Sequence, residues 1–241
     1  MDTINYSDFK TSILQATIFT PDQDFTTSKV MSTFYPKLSE IFDADPEVIP
    51  NLTGFPPEVP RVTLKNKLDS FKLEIAAVRI NFFGRAKKEG SVHLDDFFEK
   101  AKDLFCQFQD TIECRIGRLA AVRTVYARHE NPGFFLARHF CKEAWDEAPL
   151  NRPENFELHS HKVYPLSNTF KVNSWARSKS GHLIIEKSKS RIVLFEQDIN
   201  TILEEDSKKS FSHEDIKKFF SEAMPEFQKI LKLYFPSSTG E

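Results

Sequence analysis

The chain has 241 residues, of which 40% are hydrophobic and 28% are charged, and its formal net charge is −2. These proportions are typical of a globular protein, and they exclude long disordered tracts, collagen-like repeats and small disulfide-stapled scaffolds. The sequence has only 7 glycines and lacks both the dinucleotide-binding fingerprint and the P-loop pattern. Rossmann-type cofactor binding and P-loop hydrolysis are therefore not expected, and we predict no cofactor.

The cysteines and the N-terminus indicate a cytoplasmic protein without a membrane segment. Cys106, Cys114 and Cys141 are odd in number and lack C-x-x-C spacing, so they predict neither a disulfide framework nor a zinc ribbon. Cys106 falls on the apolar side of a helical pattern and is predicted to be a core residue. Met1–Lys10 does not resemble a signal peptide, and the longest apolar runs are far shorter than the ~20 residues that span a bilayer.

From Asp8 to Arg128 the apolar pattern switches between the strand period of two and the helical period of 3.6. The resulting β-α-β-β-α-β order resembles a split βαβ arrangement. In chain order we predict a strand at Asp8–Thr20, a helix at Thr27–Asp43, strands at Arg61–Asn66 and Phe71–Phe83, a helix at Leu94–Ile112 and a strand at Cys114–Arg128.

Three details of this first part carry specific expectations. Thr27 is the expected N-cap of the first helix, and Pro36 should kink or divide it. The alternation within Phe71–Phe83 changes phase, which favours a β-bulge or burial on both sides. The proline-rich stretch Asp43–Pro60 is interpreted as a loop packed over the core, with a flexible linker as the alternative.

The second part continues with a helix, a series of strands and a closing helix. Asn131–Glu147 is predicted to be helical, with Asn131 as N-cap and Pro132 at the first helical position. Phe156–Phe195 favours strands, and its best hairpin joins Leu183–Ile185 to Ile192–Phe195 through Glu186–Arg191. Ser212 followed by Asp215 resembles a capping box that starts an amphipathic helix reaching Tyr234.

These elements predict an α+β fold with an antiparallel, twisted sheet of about six to eight strands and amphipathic helices packed mainly on one face. We predict one domain over residues 1–241, and the pattern leaves open two lobes, 1–130 and 155–241. Phenylalanine occurs 24 times, so the core is expected to be built mainly from phenylalanine.

Two local patterns suggest chemistry, and each has a plainer interpretation. Glu157, His159 and His161 alternate, so on a strand they share one face and could chelate zinc or iron. The alternative is a solvated polar face, and we predict no metal site. Arg177 and His182 have the R-x4-H spacing of certain helical ribonucleases, but the serines and glycine between them favour a turn.

Charge is unevenly distributed along the chain. Residues 111–191 contain 14 Lys and Arg against 8 Asp and Glu, between two acidic flanks. Such a segment could bind phosphates in a salt-dependent way, with Tyr126 and Trp175 stacking on bases. The alternative is that these cations pair with acids or keep the sheet soluble. The candidate nucleic-acid-binding residues are Arg115, Arg118, Arg123, Arg128, Arg177, Lys179, Lys187, Lys189 and Arg191.

Several short motifs resemble a sporadically distributed family of uncharacterised prokaryotic proteins, often found in mobile or defence-related gene neighbourhoods. They are Tyr35-Pro36, Phe55-Pro56-Pro57, Arg115-Ile116-Gly117-Arg118, Asp198-Ile199-Asn200 and a closing amphipathic helix that reaches Tyr234-Phe235. The resemblance spans most of the chain and carries over no catalytic residues. It implies a protein that works with other protein subunits in an antiviral defence system.

Three functions follow as hypotheses. The first is a non-enzymatic accessory or adaptor subunit of a multi-protein, defence-type complex, based on the missing catalytic motifs, the resemblance and the amphipathic helices. The second is a nucleic-acid-binding module that uses the basic middle third. The third is a metal-dependent nuclease or phosphoesterase, which would need Glu157, His159 and His161 to converge with an acid such as Asp198.

Overall fold

An antiparallel sheet forms the centre of the molecule in a computed structural model, which describes residues 3–22, 25–50, 54–88, 91–141, 152–185, 188–202 and 210–237. Within these residues the sheet has nine strands in the order β2-β3-β4-β5-β1-β6-β9-β8-β7. The strands are β1 (Lys10–Phe19), β2 (Glu47–Val48), β3 (Val62–Lys65), β4 (Phe71–Ile75), β5 (Arg79–Arg85), β6 (Arg118–Arg128), β7 (Glu157–Leu166), β8 (Phe170–Ile185) and β9 (Ser188–Thr201).

Four helices connect or follow these strands. A short helix α1 (Thr27–Lys29) continues as a π-helical turn, Val30–Phe34, and a 3-10 turn, Tyr35–Leu38. The longer helices are α2 (Leu94–Ile112), α3 (Pro132–Phe140) and α4 (His213–Tyr234). The predicted α+β class is confirmed, because the chain combines these helices with an antiparallel sheet.

The long helices pack on one side of the sheet, the helix face. Residues directly opposite each other on neighbouring strands point to the same side, so register assigns every strand residue to a face. The Phe97 ring of α2 stacks on Phe82 of β5 with ring centroids 4.9 Å apart. Gln197 of β9 donates to the carbonyl oxygen of Phe227 in α4 at 2.7 Å, and Leu136 of α3 lies in one apolar cluster with residues of β6 and β9. We call the opposite side the open face.

Phenylalanine dominates the core, as the composition predicts. The largest fully buried side chains are Phe34, Phe42, Phe82, Phe97, Phe98, Phe105, Phe108, Phe195, Phe219, Phe220, Phe227 and Phe235. Stacked and edge-to-face contacts join many of them, as between Phe98 and Phe220 at 5.6 Å. Cys106 is buried, as predicted from its helical position.

The predicted number of strands was too low, for two reasons. Phe71–Phe83 is not one strand with a bulge but the hairpin of β4 and β5, closed by a bond from the Ala76 amide to the Arg79 carbonyl at 2.9 Å. This turn contains none of the residue types that usually mark one. The proline-rich stretch adds the edge strand β2, so it is more than a covering loop, and its Val48 side chain is 45% exposed.

Helix bounds were predicted with mixed success. α2 has the predicted bounds, and Ser212 forms the predicted capping box with Asp215. The first helix is shorter than predicted, and its N-cap is Thr26 rather than Thr27. Pro36 lies in the 3-10 turn that follows the π-helical turn, so the predicted helix is divided, as expected from a proline inside it. α3 ends at Phe140 with Cys141 as its extended C-cap, so the helix is shorter than the predicted Asn131–Glu147; residues 142–147 of that prediction lie outside the described residues.

The long hairpin of β8 and β9 also differs from the prediction. Leu183 pairs with Ser190 and Ile192 with Gly181, so the strands extend further and the connection is only residues 186–187. Residues 178–181 are extended rather than turned, because β9 supplies hydrogen-bonding partners along the whole strand. Arg177 and His182 consequently point to opposite faces of the sheet, which is incompatible with the ribonuclease-like interpretation.

Candidate functional site

The open face combines many cations with fewer carboxylates. All nine described strands contribute charged residues to it, and register places twice as many basic as acidic residues there. The basic residues are Lys10, Lys65, Lys72, Arg79, Arg85, Arg118, Arg128, Lys171, Arg177 and Lys179, and the acidic residues are Glu47, Glu74, Glu157, Glu196 and Asp198. The helices α2, α3 and α4 make their contacts on the other side, so in the described part of the chain none of them covers this surface.

Aromatic rings on the open face carry cations above them. The guanidinium carbon of Arg118 lies 4.9 Å from the Phe19 ring centroid, and that of Arg177 lies 5.2 Å from Trp175. The ammonium nitrogen of Lys72 lies 4.6 Å from the Phe83 ring centroid. Positive charge and flat apolar area therefore alternate across the sheet, which is the combination that binds phosphates and bases together.

A hydrogen-bonded cluster lies where β6, β9 and β8 meet. The Nη2 atom of Arg118 donates to Asn200 Oδ1 at 2.5 Å, and Asn200 Nδ2 donates to Asp198 Oδ1 at 3.0 Å. Asn173 on β8 donates to the same Asn200 oxygen at 3.4 Å. Burial raises the pKa of Asp198, while the hydrogen bond from Asn200 and the charges of Arg177 and Arg118 act in the opposite direction.

Trp175 is fixed between two polar neighbours beside this cluster. Its ring stacks with the His161 imidazole, the centroids being 4.5 Å apart, and His161 Nε2 hydrogen-bonds to Asn173. Arg177 reaches across to β9, where its Nη1 donates to Glu196 Oε1 at 2.5 Å. The indole is therefore held in one orientation on the sheet, with only part of its surface exposed.

The residues of the metal hypothesis share the open face but do not converge. His159 Nε2 lies 2.6 Å from Glu157 Oε1, whereas His161 is engaged by Trp175 and Asn173. Asp198 is two strands away from His161, with Trp175 between them in the register. Within the described ranges no group of three or more His, Cys, Asp and Glu side chains is placed to hold a metal ion. The geometry required by the nuclease hypothesis is therefore missing from this part of the chain.

The candidate nucleic-acid-binding residues do not form one patch. Arg118, Arg128, Arg177 and Lys179 share the open face. Lys189 and Arg191 lie near the tip of the β8–β9 hairpin on the helix side. Arg115 precedes β6 and forms a bidentate pair with Asp22, both distances being 2.6 Å. Lys187 lies outside the described residues.

Arg123 is the clearest departure from the predicted site. Because β6 alternates, Arg123 points to the helix face, where it is only 5% exposed and opposite Gln197. Burial lowers the pKa of Arg123 to about 10. Its Nη2 contacts Thr11 Oγ1 at 3.4 Å, and its Nε and Nη1 atoms are buried without a partner among the described residues. Arg123 therefore has no access to a phosphate at the surface and is removed from the candidate site.

Sequence reasoning missed the cations that come from the first, acidic third of the chain. Lys10, Arg79 and Arg85 join the open face only because β1 lies between β5 and β6 in the sheet. Lys10 and Arg79 lie within predicted strands, whereas Arg85 lies beyond the predicted end of its strand at Phe83. The order of the strands, which places these cations on the same sheet face as Arg118 and Arg177, was not predictable from the sequence.

Comparison with known proteins adds no relative. The chain matches no protein-family model, no curated protein and no solved structure. Among the described helices, none combines the length and apolar character that crossing a membrane would require.

Proposed function

We propose that this protein is a non-enzymatic binding module and that the open face binds single-stranded nucleic acid. The supporting observation is a sheet face that none of the described helices covers, on which basic residues outnumber acidic ones and aromatic rings alternate with cations. Lysine and arginine would contact phosphates, and rings such as Trp175 would stack on unpaired bases. A duplex offers phosphates but no exposed base faces, so single strands should bind more tightly.

Filter binding of a labelled 20-nucleotide oligothymidylate tests this function. Lys171 and Lys179 are both exposed on the open face, so the double variant Lys171→Glu/Lys179→Glu should weaken binding by at least about tenfold. Raising the salt from 50 to 200 mM should weaken binding of the unmodified protein by a comparable factor, because released counterions drive such contacts. Trp175→Leu should weaken binding of the single strand more than binding of a duplex of the same length.

The matched control is Lys217→Glu/Lys218→Glu, which makes the same charge change on exposed positions of α4. It should leave binding unchanged, because α4 lies on the helix side. Equal losses in both double variants would mean that only net charge matters, and would contradict a role for the open face. Absence of binding at 50 mM salt by a folded protein would contradict the function itself.

The accessory-subunit hypothesis is favoured by a separate observation, the outer edge of β7. This ten-residue strand is the last in the sheet order, and among the described residues it pairs with β8 alone. Strand addition at such an edge is a common way for one protein to hold an extended segment of another. We therefore propose, as the second candidate, that the protein assembles with other subunits of a defence-type complex through β7.

Affinity purification at native expression tests this second candidate. Proteins encoded by neighbouring genes should co-purify with the intact chain and be lost when His161→Pro removes a backbone donor from β7. The variant and the intact chain must have the same unfolding midpoint, because the substitution also removes the His161 ring that stacks on Trp175. Recovery of the chain alone under gentle conditions would contradict the proposal.

A further inference from the structure

A cavity of about 820 Å³ lies where β6 leads into α3, beside the β8–β9 hairpin. Its walls come from the start of α3, from residues 152–155 and from the hairpin. Pockets of roughly 300–1,000 Å³ accommodate small organic ligands and cofactors. Arg118, Asn173, Asp198 and Asn200, the hydrogen-bonded cluster of the open face, contribute no side chain to it, so the cavity is a second, separate feature.

Positive side chains line the cavity. Arg138, Arg152 and Arg191 contribute guanidinium groups, against the carboxylates of Glu130 and Glu154. Three imidazoles also lie in the wall, namely those of His129, His139 and His182. Ligands that carry negative charge therefore fit this lining better than neutral or positive ones.

Arg191 is held in place by neutral oxygens. Its Nη1 donates to the carbonyl oxygen of Glu130 at 3.1 Å and lies 3.4 Å from Asn131 Oδ1. In the described part of the chain no carboxylate forms an ion pair with it. A guanidinium has five N–H donors, so Arg191 can keep these contacts and still donate to an anion in the cavity.

Arg138 and Arg152 converge on the aromatic ring of Phe134. Their guanidinium carbons lie 5.7 and 5.9 Å from its centroid. Arg152 reaches this position because the following backbone packs directly on Gly133, where a Cβ atom would overlap Pro153 and Glu154. Phe134 thus places a flat apolar surface next to two cations inside one cavity.

We propose that this cavity binds a phosphate monoester joined to a planar base. The arginines would contact the phosphate, and the part of the wall formed by Phe134 would contact the base. The ester can come from a free mononucleotide or from the phosphorylated 5′ end of a nucleic-acid strand. Both sources present the same chemistry to Arg152 and Arg191. The proposal does not depend on the open face, since none of the residues that carry it, Phe134, Arg138, Arg152 and Arg191, lies on that face.

Isothermal titration of the full chain with adenosine 5′-monophosphate and with adenosine tests the phosphate requirement. The monophosphate should bind, and adenosine should bind at least tenfold more weakly. Arg191→Gln and Arg152→Gln should each weaken binding of the monophosphate by at least tenfold. Lys217→Gln is the matched control, because it removes an exposed cation on α4 that does not line the cavity, and it should have no effect.

A second pair of probes distinguishes the two sources. A ten-nucleotide oligothymidylate with a 5′ phosphate is compared with the same strand ending in a hydroxyl. If the phosphorylated strand binds more tightly and Arg191→Gln abolishes the difference, the ligand is the 5′ end of a strand. If only the mononucleotide binds, the ligand is a free nucleotide. If no phosphate-bearing probe binds, or if both arginine variants bind like the unmodified chain at equal thermal stability, the proposal is overturned. Failure of the open-face function would leave all of these outcomes unchanged.

Discussion

Asp198 shows how position on a sheet changes the chemistry of a single residue. Its side chain is partly buried on the open face, and burial raises its pKa more than Asn200, Arg177 and Arg118 lower it. The folded chain therefore binds a proton at Asp198 more readily than the unfolded chain does. Stability contributed by this proton is present at low pH and is lost as the pH rises through the raised pKa.

Replacing Asp198 with asparagine should remove this part of the pH dependence. The free energy of unfolding of the unmodified chain should decline, relative to Asp198→Asn, as the pH rises from about 4 towards neutrality. Urea unfolding at pH 4, 5, 6 and 7 measures the difference between the two chains. Ser221→Ala, at an exposed position of α4, changes no titratable group, so it is the control and should give a difference that is constant with pH. A difference between Asp198→Asn and the unmodified chain that does not change with pH would contradict the prediction.

Individual site residues could be predicted from the sequence only in part. Trp175, Arg118 and Arg177 were selected because aromatic and cationic side chains suit nucleic acid. The role of Asn200 was not predictable, because its contact with Arg118 depends on β9 lying next to β6. Arg123 was selected on charge alone, and its burial follows from the strand alternation that separates it from Arg118.

At the scale of elements, periodicity predicted helices better than strands. α2 was predicted to the residue because eight apolar side chains repeat at helical spacing between clear ends. The β4–β5 turn was missed because Ala76, Ala77 and Val78 are not turn formers. β8 was underestimated because its helix face contains small polar residues, such as Ser174 and Ser178, that are buried without an apolar pattern.

The packing of α2 on β5 depends on a glycine. A Cβ atom at Gly84 would lie 2.7 Å from Phe97 Cδ2, inside the core. Gly84→Ala should therefore cost about 1–3 kcal/mol of unfolding free energy, since the stacked Phe82 and Phe97 rings leave no room to shift. Urea unfolding followed by circular dichroism measures this loss.

Gly181 offers the matched control within another strand. A Cβ atom there would meet its nearest side-chain atom, in Ile192, at 3.8 Å, which is ordinary van der Waals contact. Gly181→Ala should be neutral or stabilise the chain by up to about 1 kcal/mol, because alanine reduces the entropy of the unfolded state. Equal stability of the two variants would contradict the proposed contact between Gly84 and Phe97.

At the scale of the molecule, strand order connects distant parts of the sequence. β1 lies between β5 and β6, and β9 continues the same sheet from β6. The two segments that the sequence left open as separate lobes are thus joined by the β6–β9 ladder, nine paired residues long. Such order is set by packing across the whole chain, which is why local patterns did not predict it.

One sheet should unfold in one step. Hydrogen exchange measured by mass spectrometry at increasing urea concentrations should give the same midpoint for peptides from β4–β5 and from β8–β9. The ladders on both sides of β6 would break together, because neither half is complete without β6. Two midpoints separated by more than the experimental error would instead indicate two lobes that unfold independently.

The location of Trp175 has a practical consequence for optical work. Among the described residues the largest fully buried side chains are all phenylalanines, and Trp175 is one of two tryptophans in the sequence. In a Trp145→Phe chain, indole emission would come from the open face alone. Quenching of that emission would therefore report the arrival of a molecule at this surface without any attached dye.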